Sequence, residues 1–137
     1  MCATVALVLD CSGSMQLKQR MTMMRQSVPS MLCYLKPGTN VHVITFDDAT
    51  LHSSYELSEN QNVAIGDSIK AQTERHGRRT NLYKALEEAN ELEPDICLVI
   101  TDGHQTIKHP QPDLARSRTR FLCMCMGDPL PKKSFRI

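Results

Sequence analysis

The chain has 137 residues, a length that suits one domain with a single core, and hydrophobic residues make up 41% of its composition. The formal net charge is +1, so bulk charge indicates neither a nucleic-acid nor a membrane partner. No apolar run approaches the roughly 20 residues that a membrane span needs, and the first ten residues lack the basic region and cleavage site of a signal peptide.

The first half of the chain predicts three strands and one long helix. Residues 3–9 form an unbroken apolar run ending at Asp10, a pattern typical of a strand buried on both faces. Residues 41–46 predict a second strand, and residues 50–57 a short edge strand paired with it as a hairpin. Between them, apolar residues at steps of three and four predict a helix that is kinked or split at Pro29. The stripe of that helix consists of Leu17, Met21, Met24, Val28, Met31 and Leu35.

The second half continues the alternation of helices and strands. Ser58 and Gln61 have the spacing of a capping box, which indicates the start of a helix. The predicted helices cover residues 58–71, 81–92 and, with a weaker pattern, 112–118. The predicted strands cover residues 96–100 and 121–126. The chain shows no internal repeat, low-complexity tract or domain linker.

Buried strands that alternate with helices predict an α/β fold, a doubly wound and mostly parallel sheet of about five strands with helices on both faces. Ligands of such sheets bind outside the carboxyl ends of the strands. Two apolar runs lead into aspartates there, Asp10 and Asp102, which meet in one crevice if their strands are neighbours. We expect the domain to cover residues 1–128, followed by a basic tail at 129–137. A fuller fold of this kind would continue with another helix and strand, so the chain is expected to be a minimal version, a trimmed one or part of something larger.

Five side chains with oxygen atoms lie next to the ends of the predicted strands and helices. Asp10, Ser12 and Ser14 follow the first strand, Thr80 precedes a helix after a glycine-containing turn, and Asp102 follows the strand at 96–100. None offers sulfur or imidazole, and oxygen is the ligand that Mg²⁺ and Mn²⁺ prefer. Because the hydroxyls are neutral, a metal held by them keeps much of its charge, and a partner's carboxylate could complete its coordination. The alternative interpretation is an ordinary turn with helix caps.

The stretch 10–14, Asp-Cys-Ser-Gly-Ser, resembles the D-x-S-x-S metal-site motif of von Willebrand factor A (vWA) domains. Residues 101–103, Thr-Asp-Gly, resemble the family's T-D-G element, and Thr80 stands in matching order and context. The resemblance covers about residues 3–127. It implies a Rossmann-like vWA fold with strand order 3-2-1-4-5 and an intact metal-ion-dependent adhesion site (MIDAS). In that site the three hydroxyls bind Mg²⁺ or Mn²⁺ directly and the two aspartates act largely through bound waters.

The residues before Thr80 depart from the family, whose members often carry small residues, frequently Gly, at these positions. Here Arg78 and Arg79 stand there, with Arg75 close by. They form a basic rim that would favour an acidic or phosphorylated partner, unless they simply point into solvent.

Three further residues lie close to the predicted site. His104, two residues after Asp102, is a rim candidate or an ordinary surface histidine. Asp47, at the end of the second strand, is a rim candidate or a turn residue. Asp10, Ser12 and Ser14 are alternate residues, so their side chains are expected to point to the same side, toward the metal. Cys11 lies between them in the sequence and is therefore expected to pack away from the metal.

The resulting prediction is a divalent-metal-dependent protein–protein interaction module that binds an Asp or Glu of a protein partner. The alternative is a module for RNA, DNA or phosphate that uses the rim of Arg75, Arg78 and Arg79, although three Phe, three Tyr and no Trp give few stacking platforms. Catalysis is not expected. A phosphatase of the haloacid dehalogenase type needs an Asp where Ser12 stands, and Ser14 lacks the nucleophile elbow of a serine hydrolase.

The six cysteines do not form the pattern of a disulfide scaffold. Cys97, Cys123 and Cys125 lie inside predicted strands, where a free thiol acts as a small hydrophobe. We therefore expect reduced thiols and a cytoplasmic location.

Overall fold

The computed structural model describes residues 3–13, 15, 19–58, 62–73, 79–102, 108–115 and 117–125. These residues form five strands and three helices. The elements in chain order are β1 (Thr4–Asp10), α1 (Arg20–Leu32), β2 (Asn40–Phe46), β3 (Thr50–Glu56), α2 (Asn62–Gln72), α3 (Leu82–Glu91), β4 (Ile96–Thr101) and β5 (Arg120–Cys125).

The strands form a single sheet in the order β3-β2-β1-β4-β5. β1 lies between β2 and β4 and is parallel to both, β5 is parallel to β4, and β3 is antiparallel to β2. The prediction of a doubly wound, mostly parallel sheet with order 3-2-1-4-5 is confirmed. In this register Asp10 is opposite Phe46 and Leu9 is opposite Ile100, so β1, β2 and β4 end at one edge, which we call the carboxyl edge.

Both faces of the sheet are covered, which explains the unbroken apolar run of β1. Because side chains alternate along a strand, Val5, Leu7 and Leu9 pack on one face and Ala6 and Val8 on the other. The first face is covered by α1 and α2, and the second by α3. The core is therefore two layers, and the central strand contributes to both.

The helices match the predicted apolar stripes within a few residues. In α1, Met21, Met24 and Val28 are buried, and the helix continues through Pro29 to Leu32 instead of splitting there. The α3 helix begins after Asn81, whose side chain accepts a hydrogen bond from the Lys84 N–H at 3.3 Å. Part of the capping box proposed at Ser58 lies outside the described residues, since Gln61 is not among them.

The prediction of a weak helix over residues 112–118 was wrong, because residues 108–115 and 117–119 contain no helix. The Asp113 carboxylate accepts the Ala115 N–H at 3.1 Å, and the Ser117 hydroxyl accepts the Thr119 N–H at 3.1 Å. Asp and Ser side chains that bind nearby backbone in this way offer an alternative to the helix.

At the far side of the sheet, β5 is hydrogen-bonded to β4, and Leu122 and Met124 of β5 are exposed. The predicted tail at 129–137, and the boundary at residue 128, lie outside the described residues. Of the described cysteines, Cys11, Cys33, Cys97 and Cys123 are reduced and form no disulfide. No described helix is long and apolar enough to cross a membrane.

Candidate metal centre

Asp10 is the centre of the carboxyl edge. It is the last residue of β1 and is fully buried. Its Oδ1 accepts the Ser12 N–H at 2.8 Å, and its Oδ2 accepts the Thr101 hydroxyl at 2.7 Å. The two bonds fix the carboxylate between the loop after β1 and the end of β4, so its orientation is set by the sheet register.

Asp102 lies one residue beyond β4 and is also buried. The charge of Asp102 is close enough to raise the pKa of Asp10, so the structure brings these two predicted residues together. Among the described residues, a cation next to Asp102 is Arg20 of α1, whose Nη1 lies 3.6 Å from Asp102 Oδ2. At this distance the two groups form an ion pair and not a short hydrogen bond.

Burial, and to a smaller extent the charge of Asp102, raises the pKa of Asp10 from 3.8 to about 6. The hydrogen bonds from Ser12 and Thr101 act in the opposite direction, because they stabilise the ionised carboxylate. The raised pKa reflects negative charge that burial disfavours, and a cation at this edge would relieve it.

The loop after β1 folds tightly against the sheet. Ser12 is fully buried, and its carbonyl accepts the Met15 N–H at 3.0 Å. Cys11 points into the core, where its thiol donates to the Phe46 carbonyl at 3.2 Å, as expected for a packing residue. Ser14 lies outside the described residues, so its position relative to Ser12 stays a prediction.

Thr80 is buried and lies next to Asn81, the N-cap residue of α3. Its segment is attached to the turn between β2 and β3 at both neighbouring residues. The Asp48 carboxylate accepts the Arg79 N–H at 3.0 Å, and the Asp47 carbonyl accepts the Asn81 N–H at 2.7 Å. Because β2 ends beside Asp10, these bonds hold the Thr80 segment at the carboxyl edge.

The predicted rim is placed only in part. The Asp47 carboxylate accepts the Ala49 N–H at 2.9 Å, so Asp47 is a turn residue that also holds the Thr80 segment. Arg79 is exposed. The other rim candidates, which are Arg75, Arg78 and His104, lie outside the described residues.

Two described basic residues near the carboxyl end of the chain, Arg118 and Arg120, lie away from this edge. Arg118 and Arg120 line a surface cavity of about 810 Å³ together with the acidic residues Glu93, Asp95 and Asp113. That cavity lies at the amino ends of β4 and β5, and its mixed charge gives no continuous basic surface.

The donor chemistry of the carboxyl edge fits a hard cation. The described candidates there are the buried side chains of Asp10, Ser12, Thr80 and Asp102, and all of them bind through oxygen. Across the described ranges, no group of three or more His, Cys, Asp or Glu side chains is placed to hold a metal ion. A metal here would therefore depend on hydroxyls and waters in addition to two carboxylates.

The sequence did not indicate a role at this edge for three residues that shape it: Arg20, Asp48 and Thr101. Arg20 had a usable signal, because it lies four residues before Met24 and eight before Val28 on the buried stripe of α1. A charged side chain on such a stripe requires a partner. Asp48 had no comparable signal, since its contact with Arg79 joins distant segments of the chain.

The sequence matches the von Willebrand factor type A domain family over residues 5–105. A search of curated proteins found no match. Among solved structures, a von Willebrand factor type A protein from Catenulispora acidiphila superposes with a TM-score of 0.73 at 18% identity, covering 89% of this chain and 32% of that one.

Two other solved structures have the same fold. An aerotolerance-related membrane protein from Bacteroides fragilis gives a TM-score of 0.70 at 14% identity, covering 98% of this chain and 75% of that chain. Proximal thread matrix protein 1 from the mussel byssus gives 0.70 at 19% identity, covering 88% of this chain and 35% of that chain. Identities this low establish the fold alone, and this chain spans about a third of the length of the first and third of these proteins.

The family match covers well over half of the chain, and the sheet order and helix placement agree with the fold of the matched solved structures. The chain therefore belongs to the von Willebrand factor type A domain family, a family of protein-interaction modules.

Proposed function

We propose that this domain binds an acidic side chain of a protein partner through Mg²⁺ or Mn²⁺ at the carboxyl edge. The observation that carries the proposal is the distribution of buried charge. Among the described residues, the buried charged side chains are Asp10, Arg20 and Asp102, and all three belong to this edge. Buried charges are costly unless they are paired or coordinate a metal, so their concentration here indicates a site and not general packing.

The residues that would hold the metal are Asp10, Ser12, Ser14, Thr80 and Asp102. When bound, the metal would supply a Lewis-acidic position that a carboxylate oxygen can join. Asp10 is held by Ser12 and Thr101 in a fixed orientation, so this part of the site is organised before any ligand arrives. The exposed Arg79 adds positive potential at the entrance, which favours an acidic partner surface.

We further propose that the module is non-catalytic and works in the cytoplasm. The chemistry assigned to the edge is coordination, with the serine and threonine oxygens as ligands and not as nucleophiles. The buried thiols of Cys11 and Cys97 pack as small hydrophobes, which suits a reducing compartment.

Mn²⁺ binding to the purified domain, followed by the electron paramagnetic resonance signal of the free ion, tests the metal site directly. We expect one bound ion, displaced by excess Mg²⁺. Ser12→Ala should weaken binding at least tenfold, because it removes one ligand oxygen. Ser54→Ala changes an exposed serine on β3 and should bind like the wild type. Equal Mn²⁺ affinity of the Ser12→Ala and wild-type domains would overturn the site.

The partner is tested by immobilising the domain and identifying the proteins retained from a lysate with Mg²⁺ and with EDTA. Proteins that bind through the metal are released by EDTA and are not retained by Ser12→Ala. A retained set that EDTA leaves unchanged contradicts the proposal. Retention of nucleic acid that falls with salt but not with EDTA would support the alternative function instead.

A further inference from the structure

Arg20 occupies a position that helix chemistry disfavours. It is the first residue of α1, where the helix dipole favours negative charge, and the preceding residue Gln19 gives no side-chain cap. The residue is 8% exposed and lies on the same buried stripe as Met24 and Val28. Arginine stays ionised in proteins, so this side chain brings a permanent positive charge into the edge of the core.

The compensation for this charge comes from the candidate site. Arg20 Nη1 lies 3.6 Å from Asp102 Oδ2, and Asp102 is 2% exposed. Among the described residues, the buried charges are those of Asp10, Asp102 and Arg20, and they sum to −1 when both carboxyls are ionised. A divalent ion would change this sum to +1, and a carboxylate bound to that ion would bring it to zero. Because unbalanced charge is costly at a buried site, the state with both metal and carboxylate is electrostatically favoured over the state with metal alone.

We infer that Arg20 couples metal binding to acidic-ligand binding: the guanidinium lowers the affinity of the carboxyl edge for the metal alone and raises it when a carboxylate is present. The inference rests on the proposed function. Arg20 acts through Asp102, so it is a positioning residue and not one of the metal ligands. It would keep the site from holding a metal firmly until an acidic partner arrives, and it would select carboxylates over neutral ligands.

The experiment measures Mn²⁺ affinity of the domain in sodium chloride and in sodium acetate of equal ionic strength, with the weak binding of acetate to free Mn²⁺ subtracted. For the wild type we expect acetate to tighten Mn²⁺ binding at least fivefold, the lower end of ordinary coupling between two ligands. This part needs no variant. An acetate effect below twofold overturns the inference even if every variant fails to fold.

Two substitutions then assign the coupling to Arg20. Arg20→Gln removes the charge, so Mn²⁺ should bind at least fivefold more tightly in chloride and acetate should lose most of its effect. Arg20→Lys keeps the charge and should retain the coupling. Arg25→Gln is the matched control. Arg25 lies on the same helix, but its Nε donates to the hydroxyl of Thr73, just after α2, at 2.9 Å, and not to Asp102.

The outcomes separate the inference from the function on which it rests. If the wild type binds no Mn²⁺ in either salt, the metal site and the inference both fail. If the wild type binds Mn²⁺ but Arg20→Gln binds it equally or more weakly, the metal site stands and the coupling role is overturned. Circular dichroism spectra of each variant show whether a loss of binding comes from unfolding.

Discussion

Asp10 is the residue at which sheet structure and charge are in direct conflict. The register of β1 places its carboxyl group inside the molecule, next to Asp102, and its two hydrogen bonds to Ser12 and Thr101 only partly offset the loss of solvation. At neutral pH, an asparagine at this position would cost less free energy to bury than the ionised aspartate. A ligand that binds the negative charge would explain why this position is an aspartate.

This conflict predicts how stability changes with pH. The pKa of Asp10 is about 6 in the folded, metal-free domain and near 3.8 in the unfolded chain, so the folded state holds the proton more tightly. Its contribution is therefore fully present below pH 3.8 and is lost as pH rises through 6. At about 1.4 kcal/mol per pH unit between the two values, the loss is roughly 3 kcal/mol.

Urea unfolding in EDTA between pH 4 and pH 7 measures this contribution. The stability of the wild type relative to Asp10→Asn should fall by about that amount over the range. Asn can still accept the Ser12 N–H, so the variant isolates the charge. Saturating Mg²⁺ should reverse the trend, since the metal binds the ionised carboxylate. A wild type and variant that keep the same stability difference at pH 4 and pH 7 would contradict the burial argument.

The residues of the candidate site differ in how far the sequence predicts them. The shared location of Asp10, Ser12 and Asp102 could be predicted. Each follows shortly after a buried apolar run, and the two strands are neighbours in the sheet. Arg20 was not predicted, because its partner Asp102 is distant in the sequence and a single helical stripe does not show which residue it faces. Residues that act through a distant contact require the topology first.

At the scale of the elements, the short turn between β2 and β3 determines where α3 begins. Asp47 and Asp48 receive the N–H groups on either side of Thr80, so a hairpin turn fixes the start of α3. The sequence predicted the hairpin and α3 separately, from alternation and from helical spacing. It could not predict that one holds the other, since no periodic pattern records contacts between loops.

Asp48→Ala should loosen the Thr80 segment with little effect on the fold. The lost bond joins the exposed Asp48 carboxylate to the Arg79 N–H, so we expect a stability change below about 1 kcal/mol. Mn²⁺ affinity should fall roughly three- to tenfold, because the segment would occupy the binding geometry for a smaller fraction of the time. Isothermal titration with Mn²⁺ and thermal unfolding measure the two effects.

Asp113→Ala is the matched control for that experiment. Its carboxylate also accepts a backbone N–H, that of Ala115, but it lines the cavity at the opposite end of the sheet. We expect Asp113→Ala to leave Mn²⁺ affinity unchanged. If both variants bind Mn²⁺ like the wild type, the turn does not position Thr80 for the metal.

At the scale of the whole molecule, the two-layer core and the carboxyl edge are separable. The alternation of β1 fills both layers, and α1 and α3 begin at the carboxyl edge and extend away from it along the sheet. α1 illustrates this separation, because Arg20 at its start touches the site while Leu32 at its end is fully buried in the core. Stability and metal affinity should therefore respond to different substitutions.

Leu32→Ala tests the separation. Loss of a fully buried leucine should destabilise the domain by about 2–5 kcal/mol, whereas Leu122→Ala, at an exposed leucine of β5, should cost less than about 1 kcal/mol. Both folded variants should keep wild-type Mn²⁺ affinity. Since a ligand that binds only the folded state stabilises by about 2.7 kcal/mol at a hundredfold excess over its Kd, Mn²⁺ should raise the unfolding free energy of all three proteins equally. A smaller increment for Leu32→Ala would show that the core and the carboxyl edge are coupled through α1, and that the metal site depends on packing along the whole helix.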